Sequence, residues 1–192
     1  PFKTRTGGVM RLEYLLQEVY DEMLRKISEN KSMPEEEAAA IAKVVALSAV
    51  KYGDLSNQAS KDYIFDIDRF TSSEGNTGVY LLYTMVRIKS ILNKYKEAGG
   101  NVESCKLAAT ANESAKDLIK QLTAFNTMME NAYVELAPHK VCAYIYELAN
   151  AFNHFYHETK ILTEENEEMK SAYIALLALT ISVMETCIDV LG

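Results

Sequence analysis

Tryptophan is absent from this 192-residue chain, and proline occurs only three times, glycine eight and cysteine three. So few helix breakers leave long stretches free to form long helices. Cys105, Cys142 and Cys187 stand far apart and form no CxxC unit. That excludes a zinc knuckle or a disulfide framework and favours reduced thiols in a cytoplasmic protein. No apolar core follows the charged N-terminus, as a signal peptide would require. The most apolar window, SAYIALLALTISVM at 171–184, falls short of the ~18 residues of a membrane span and is expected to be a buried helix. Neither GxxxxGK[ST] nor GxGxxG occurs, so neither standard phosphate loop is present.

What is present is an acidic chain of net charge −7 with 48% hydrophobic residues. Its length fits one domain, or one with part of a neighbour. The acidity argues against a dedicated DNA or RNA binder unless the cations are gathered on one face.

Apolar residues at spacings of three and four predict a first helix from Leu12, through Leu15, Leu16, Val19, Met23 and Ile27. Ser32-Met-Pro-Glu35 has the form of a capping box opening a second helix, which Gly53 is expected to stop near Lys51. KDYIFDIDRF (61–70) reads as a short strand or an extended crossing segment, and TSSEGNTG as a turn-rich loop. A stripe of Leu81, Met85, Ile88, Leu92 and Tyr95 predicts a helix over 79–97, ended by Gly99-Gly100; 101–112 reads as a connector. Helices are then expected at about 113–125, 127–136, 138–158 and 164–190, the last opened by Thr163 and the acids of EENEE. The fold class is all-α.

Several constellations carry candidate chemistry. PFKTRTGG puts Lys3 and Arg5 beside a Gly-Gly pair, as either a phosphate-contacting loop or an ordinary turn. His154 and Glu158 lie one helical turn apart, but HExxH and Glu-x-x-His are both absent, so no metal site is expected. No complete catalytic set can be assembled. On the helix 79–97, Tyr83 stands one turn before Arg87, with Lys89, Lys94 and Lys96 nearby. A ring beside a guanidinium can stack a base and grip its phosphate, although a solvated helix flank has the same spacing. On 138–158, Tyr146, Asn150, Asn153 and His157 share the face opposite the apolar stripe, with Tyr156 at its margin and Lys160 beyond. Amides, imidazole and tyrosines suit unpaired RNA base edges, as they suit an ordinary wet face.

Four blocks, PFKTRTGG, KYGDLSNQASKDYIFDIDRF, SSEGNTGVYLLYTMVRIKSIL and APHKVCAYIYELANAFNHFYHETKIL, together resemble the C-terminal half of arginyl-tRNA synthetases. The resemblance spans nearly the whole chain. It implies that PFKTRTGG is a degenerate KMSKS-type loop contacting ATP phosphates, with Lys3 and Arg5 carrying part of that role and Thr4 standing where a second lysine is usual. It implies that the chain begins inside that loop, without the nucleotide-binding fold upstream. Residues 1–75 would hold the loop and a short helical connecting unit. Residues 76–192 would form the helical bundle of the class I anticodon-binding type.

Tyr83, Arg87 and Tyr156 match positions that contact the anticodon loop in the family; Asn153, His157 and Lys160 extend that surface along the helical face. The implied partners are arginine-specific tRNA and the catalytic N-terminal half, with no membrane and no DNA. The implied activity of the whole ligase is arginine attachment with ATP and Mg²⁺, and no cofactor for these residues alone. Val79 stands where proline is common and Leu82 where glutamine is usual. The competing expectation is a helical scaffold without RNA binding, which the excess of six acids over Lys170 in 161–192 favours.

Overall fold

Residues 11–29 and 33–192 are described by a computed structural model. Eight α-helices occur among them: α1 (Leu12–Ser28), α2 (Glu35–Leu55), α3 (Ile67–Phe70), α4 (Gly78–Glu97), α5 (Glu113–Thr123), α6 (Phe125–Val134), α7 (Pro138–Glu158) and α8 (Glu167–Leu191), with a 3₁₀ turn at Val102–Ser104. No strand occurs among the described residues. The fold is all-α.

The chain divides into two compact units, one of residues up to Asp54 with Tyr63–Tyr80, the other of Leu55–Asp62 with Leu81–Gly192. In the first, the buried residues are Val19 and Met23 of α1 with Ala42, Ala46, Ala49 and Val50 of α2, and Leu15, Leu16, Ile27 and Val79 pack against them. Gly53 does not stop α2, which continues to Leu55. It serves a close approach instead: a Cβ there would lie 2.3 Å from the Phe70 ring. The strand expected within 61–70 does not form: residues 62–66 carry no regular structure, and Asp66, itself extended, caps the single turn of α3 by accepting from Arg69 N. Ser32 of the expected capping box lies outside the described residues; α2 begins at Glu35, and Ala38 N donates to Pro34 O at 2.9 Å.

The second unit is built around α7, which packs against α5, α6 and α8. Val141, Ile145, Leu148, Phe152 and Phe155 recur at four and three residues, so one stripe of α7 is buried along its length. Pro138 occupies its first turn, where a missing N–H is harmless. Asn112 caps α5 through Ala115 N, and its Nδ2 donates to Thr159 Oγ1 at 2.9 Å, tying that cap to the end of α7. The two helices α4 and α6 end alike: Gly100 N reaches Tyr95 O and Ala137 N reaches Ala132 O, both at 2.9 Å. The left-handed residue is Gly99 in the first (φ 88°) but Leu136 in the second (φ 50°), the costlier choice for an L side chain.

α8 corrects two expectations. Its cap is Asn166, whose side chain accepts from Glu168 N and Met169 N, so the helix opens later than Thr163. It is also longer than its most apolar window, because Cys187, Ile188, Val190 and Leu191 extend it. Its 25 residues and a mean hydropathy of 2.0 in its best 18-residue window make it long and apolar enough to cross a membrane by length and composition. Burial accounts for part of that composition: Ala172, Tyr173, Ile174, Leu176, Leu177, Thr180, Ile181, Met184 and Cys187 lie in the core of the unit, while Leu179 and Val190 are exposed.

Candidate nucleic-acid interface

The start of α4 is prepared by the loop Ser72–Thr77. Thr77 Oγ1 donates to Ser72 O at 2.7 Å and accepts from Tyr80 N at 3.1 Å, so threonine caps the helix where Val79 lacks the pre-set φ of proline. Val79 itself packs against the core of the first unit.

Two residues beyond the buried Leu81, and so on the other side of α4, Tyr83 stands one turn before Arg87, and the structure joins them. Arg87 Nη2 donates to Tyr83 Oη at 2.8 Å, and the guanidinium carbon lies 4.6 Å from the Tyr83 ring centre. α7 delivers a second ring to the same cation: Tyr156, with its centre 4.8 Å from the guanidinium carbon. Asn153, one turn before Tyr156, accepts from Arg87 Nη1 through Oδ1 and donates through Nδ2 to Thr84 Oγ1 at 3.0 Å. Two aromatic faces attract the cation through their quadrupoles. None of the ion pairs among the described residues involves Arg87, so its positive charge is not cancelled by a carboxylate. Tyr83 is 53% exposed and Tyr156 38%, leaving ring surface open to solvent.

The remaining candidates are distributed around this centre. His157 is exposed and meets the Tyr156 ring edge-on, 5.5 Å between centres. Lys160 is exposed and lies just past the end of α7. Lys89 pairs with Glu185 at 2.7 Å, in an exposed contact of small energetic weight. Lys94 and Lys96 are exposed in the last turn of α4, where cations complement the helix dipole. His154 and Glu158 are both exposed, and no group of three His, Cys, Asp or Glu suited to a metal occurs among the described residues. Lys3, Thr4 and Arg5 lie outside the described residues.

Sequence reasoning missed Thr84. Its signal was available: a polar residue three beyond Leu81 and four before Ile88, inside the apolar stripe of α4, where it is fully buried.

An aromatic-flanked arginine without a carboxylate partner, at the junction of two helices, has the chemistry to meet unpaired bases and phosphate. Residues 81–192 match the family described as DALR anticodon binding domain, and residues 1–67 match the catalytic domain of class I (R) tRNA synthetases. The chain belongs to the arginyl-tRNA synthetases, with residues 81–192 as their DALR anticodon binding domain.

Among its relatives, the arginine–tRNA ligase of Agathobacter rectalis is 64% identical over the whole chain, which covers 34% of that protein. That of Alkaliphilus oremlandii is 50% identical, again over the whole chain and 32% of the relative. The chain therefore spans about a third of the length of the curated relatives it matches. Its fold is shared with the arginyl-tRNA synthetase of Plasmodium falciparum, with a TM-score of 0.82 at 25% identity over 96% of this chain and 33% of that one. The Thermus thermophilus arginyl-tRNA synthetase gives 0.83 at 23% identity, over 97% of this chain and 32% of its own.

Proposed function

We propose that this chain binds the anticodon arm of arginine-specific tRNA, with Arg87, Tyr83 and Tyr156 as the centre of the contact. The observation that carries the reading is the guanidinium seated against two part-exposed tyrosine rings without a neutralising carboxylate. Such a cation offers N–H donors to phosphate or a base edge, while the rings offer stacking surface to unpaired bases. His157 and Lys160 extend the surface along and beyond α7 toward the backbone of the same RNA. Residues 76–192 act as the anticodon-binding domain, and residues 1–75 as the loop and connecting unit toward the catalytic half.

In the whole ligase, arginine is joined to its tRNA with ATP and Mg²⁺, and Lys3, Thr4 and Arg5 lie in the loop that meets the ATP phosphates. That reaction belongs to a cytoplasmic enzyme whose catalytic part is the chain's partner, with neither DNA nor membrane involved.

The test is a titration of the chain with the anticodon stem-loop of arginine-specific tRNA at about 50 and 200 mM salt, beside a stem-loop with a changed anticodon. Arg87→Ala is expected to weaken binding about tenfold and to lower the log–log salt slope by about one. Tyr83→Ala and Tyr156→Ala each remove a stacking surface of about 1–3 kcal/mol. Unchanged affinity in Arg87→Ala and Tyr83→Ala together overturns the reading.

A further inference from the structure

Thr84 has no place in a surface that meets RNA directly, since it is fully buried. Yet a hydroxyl in an apolar stripe is expensive to desolvate unless it is bonded, and valine would fill the same space without that penalty. Its Oγ1 accepts the Asn153 amide at 3.0 Å, and the other end of that amide accepts Arg87. We infer that Thr84 and Asn153 are positioning residues that hold the Arg87 guanidinium against Tyr83 and Tyr156 before RNA arrives. The inference rests on the reading that Arg87 contacts the RNA.

The chemistry fixes the direction of the chain of bonds. A guanidinium has donors only, so Asn153 must turn its oxygen toward Arg87. Its NH₂ then faces the other way and needs an acceptor within the bundle. Thr84, on the same helix as Arg87 and three residues before it, supplies that acceptor from the core side. The amide is thereby locked against a flip that would set NH₂ against the guanidinium. Tyr83 Oη completes the hold by accepting from Nη2. An arginine pinned in this way has already lost much of the rotamer freedom it would otherwise give up on binding, which favours affinity without adding a contact. Asn153 therefore acts on the RNA through Arg87, and not as a reader of a base edge.

The experiment uses the whole chain and two readouts. In the free protein, ¹⁵N signals of the arginine side chains report whether rotation of the Arg87 guanidinium is restricted. In the complex, the affinity and salt slope for the arginine anticodon stem-loop are measured. Thr84→Val is expected to release the guanidinium rotation and to weaken binding about 3- to 10-fold, with an unchanged salt slope because the charge remains. Thr84→Ser, which keeps the hydroxyl, is expected to restore both. Asn153→Asp keeps an acceptor beside Arg87 but neutralises it, so both affinity and salt slope should fall.

Should Thr84→Val fail to fold, Asn153→Ala on the part-exposed face removes both the bond to Thr84 and the bond to Arg87, and is expected to release the guanidinium and weaken binding at least as much. Wild-type guanidinium signals and binding within twofold of wild type in Thr84→Val, or in Asn153→Ala where it replaces that variant, overturn the positioning role, provided Arg87→Ala binds weakly. If Arg87→Ala also binds as wild type, the RNA-contact reading itself fails instead, and the positioning role falls with it.

Discussion

The two compact units of the chain are both helical, but they fill their interiors differently. The first closes α1 against α2 over Val19, Met23, Val50 and three alanines, Ala42, Ala46 and Ala49. Small residues bring two helix axes close, but each buries little apolar area. The same unit leaves Leu12, Tyr14, Val44 and Leu47 exposed and carries an apolar groove of about 580 Å³ lined by Leu16, Tyr20, Ala39, Ala46 and Leu47. The second unit encloses Phe152, Phe155, Ile145, Leu148, Ile174, Leu177 and Met184 almost completely. Aromatic and branched side chains layered on α7 and α8 supply it with a core of its own. The difference teaches that helical content alone says little about where stability resides, and that the Arg87 cluster proposed to meet RNA is mounted on the better-filled unit.

Core truncation should break the comparison most visibly. Phe152→Ala is expected to cost about 3–5 kcal/mol, because a fully buried ring leaves a cavity that the helices cannot close. Val19→Ala in the first unit loses two methyl groups and should cost roughly 2 kcal/mol. Denaturant titrations read with hydrogen exchange in α7 and in α1 would give both figures, and an equal cost at the two sites would undo the contrast.

Thiol chemistry sharpens the comparison within the second unit. Burial pushes the Cys142 thiol up to about 12, with Cys187 nearby adding to the effect, and burial alone pushes Cys187 up to about 12. Cys105 is only half-buried. One thiol should therefore react with a disulfide reagent in the folded chain. The other two should react far more slowly until unfolding exposes them, because burial disfavours their thiolates. Three equally fast thiols would show that α7 and α8 open readily.

The smallest effect belongs to the surface of α1. The hydrogen bond from Arg25 holds the Glu22 carboxyl down at about 2, opposed by some desolvation and helped by Lys26. Because the folded value is depressed, the support it gives is present above the ordinary carboxylate range near 4.5 and is lost as pH falls from there toward 2. Glu22→Gln should flatten the acid limb of the α1 stability curve and leave that of the second unit unchanged. Following α1 amide exchange between pH 5 and 2 would show this.

Much of the fold was legible in sequence order. The 141–145–148–152–155 stripe defined α7 from Pro138 to Glu158 because proline starts and periodicity continues. Ends were less legible where two residues competed for one role. Asn166, not Thr163, caps α8, since only Asn166 lies within reach of the first free amides. Gly53 looked like a helix stop, whereas its missing side chain makes room for Phe70. The division between Tyr80 and Leu81 falls inside α4, where no turn residue marks it.

The sequence by itself determined the longer helices, the apolar stripes of α1, α4 and α7, and the placement of Tyr83 and Arg87 on one turn, because these depend on spacings within a single element; the single turn of α3, too short to show a period, was not among them. Only the tertiary structure decided that Tyr156 and Asn153 reach Arg87 from α7 and that Thr84 anchors the amide from within the core. Those contacts join residues 66 and 69 positions apart, and their geometry follows from how α4 and α7 pack, which no local periodicity encodes.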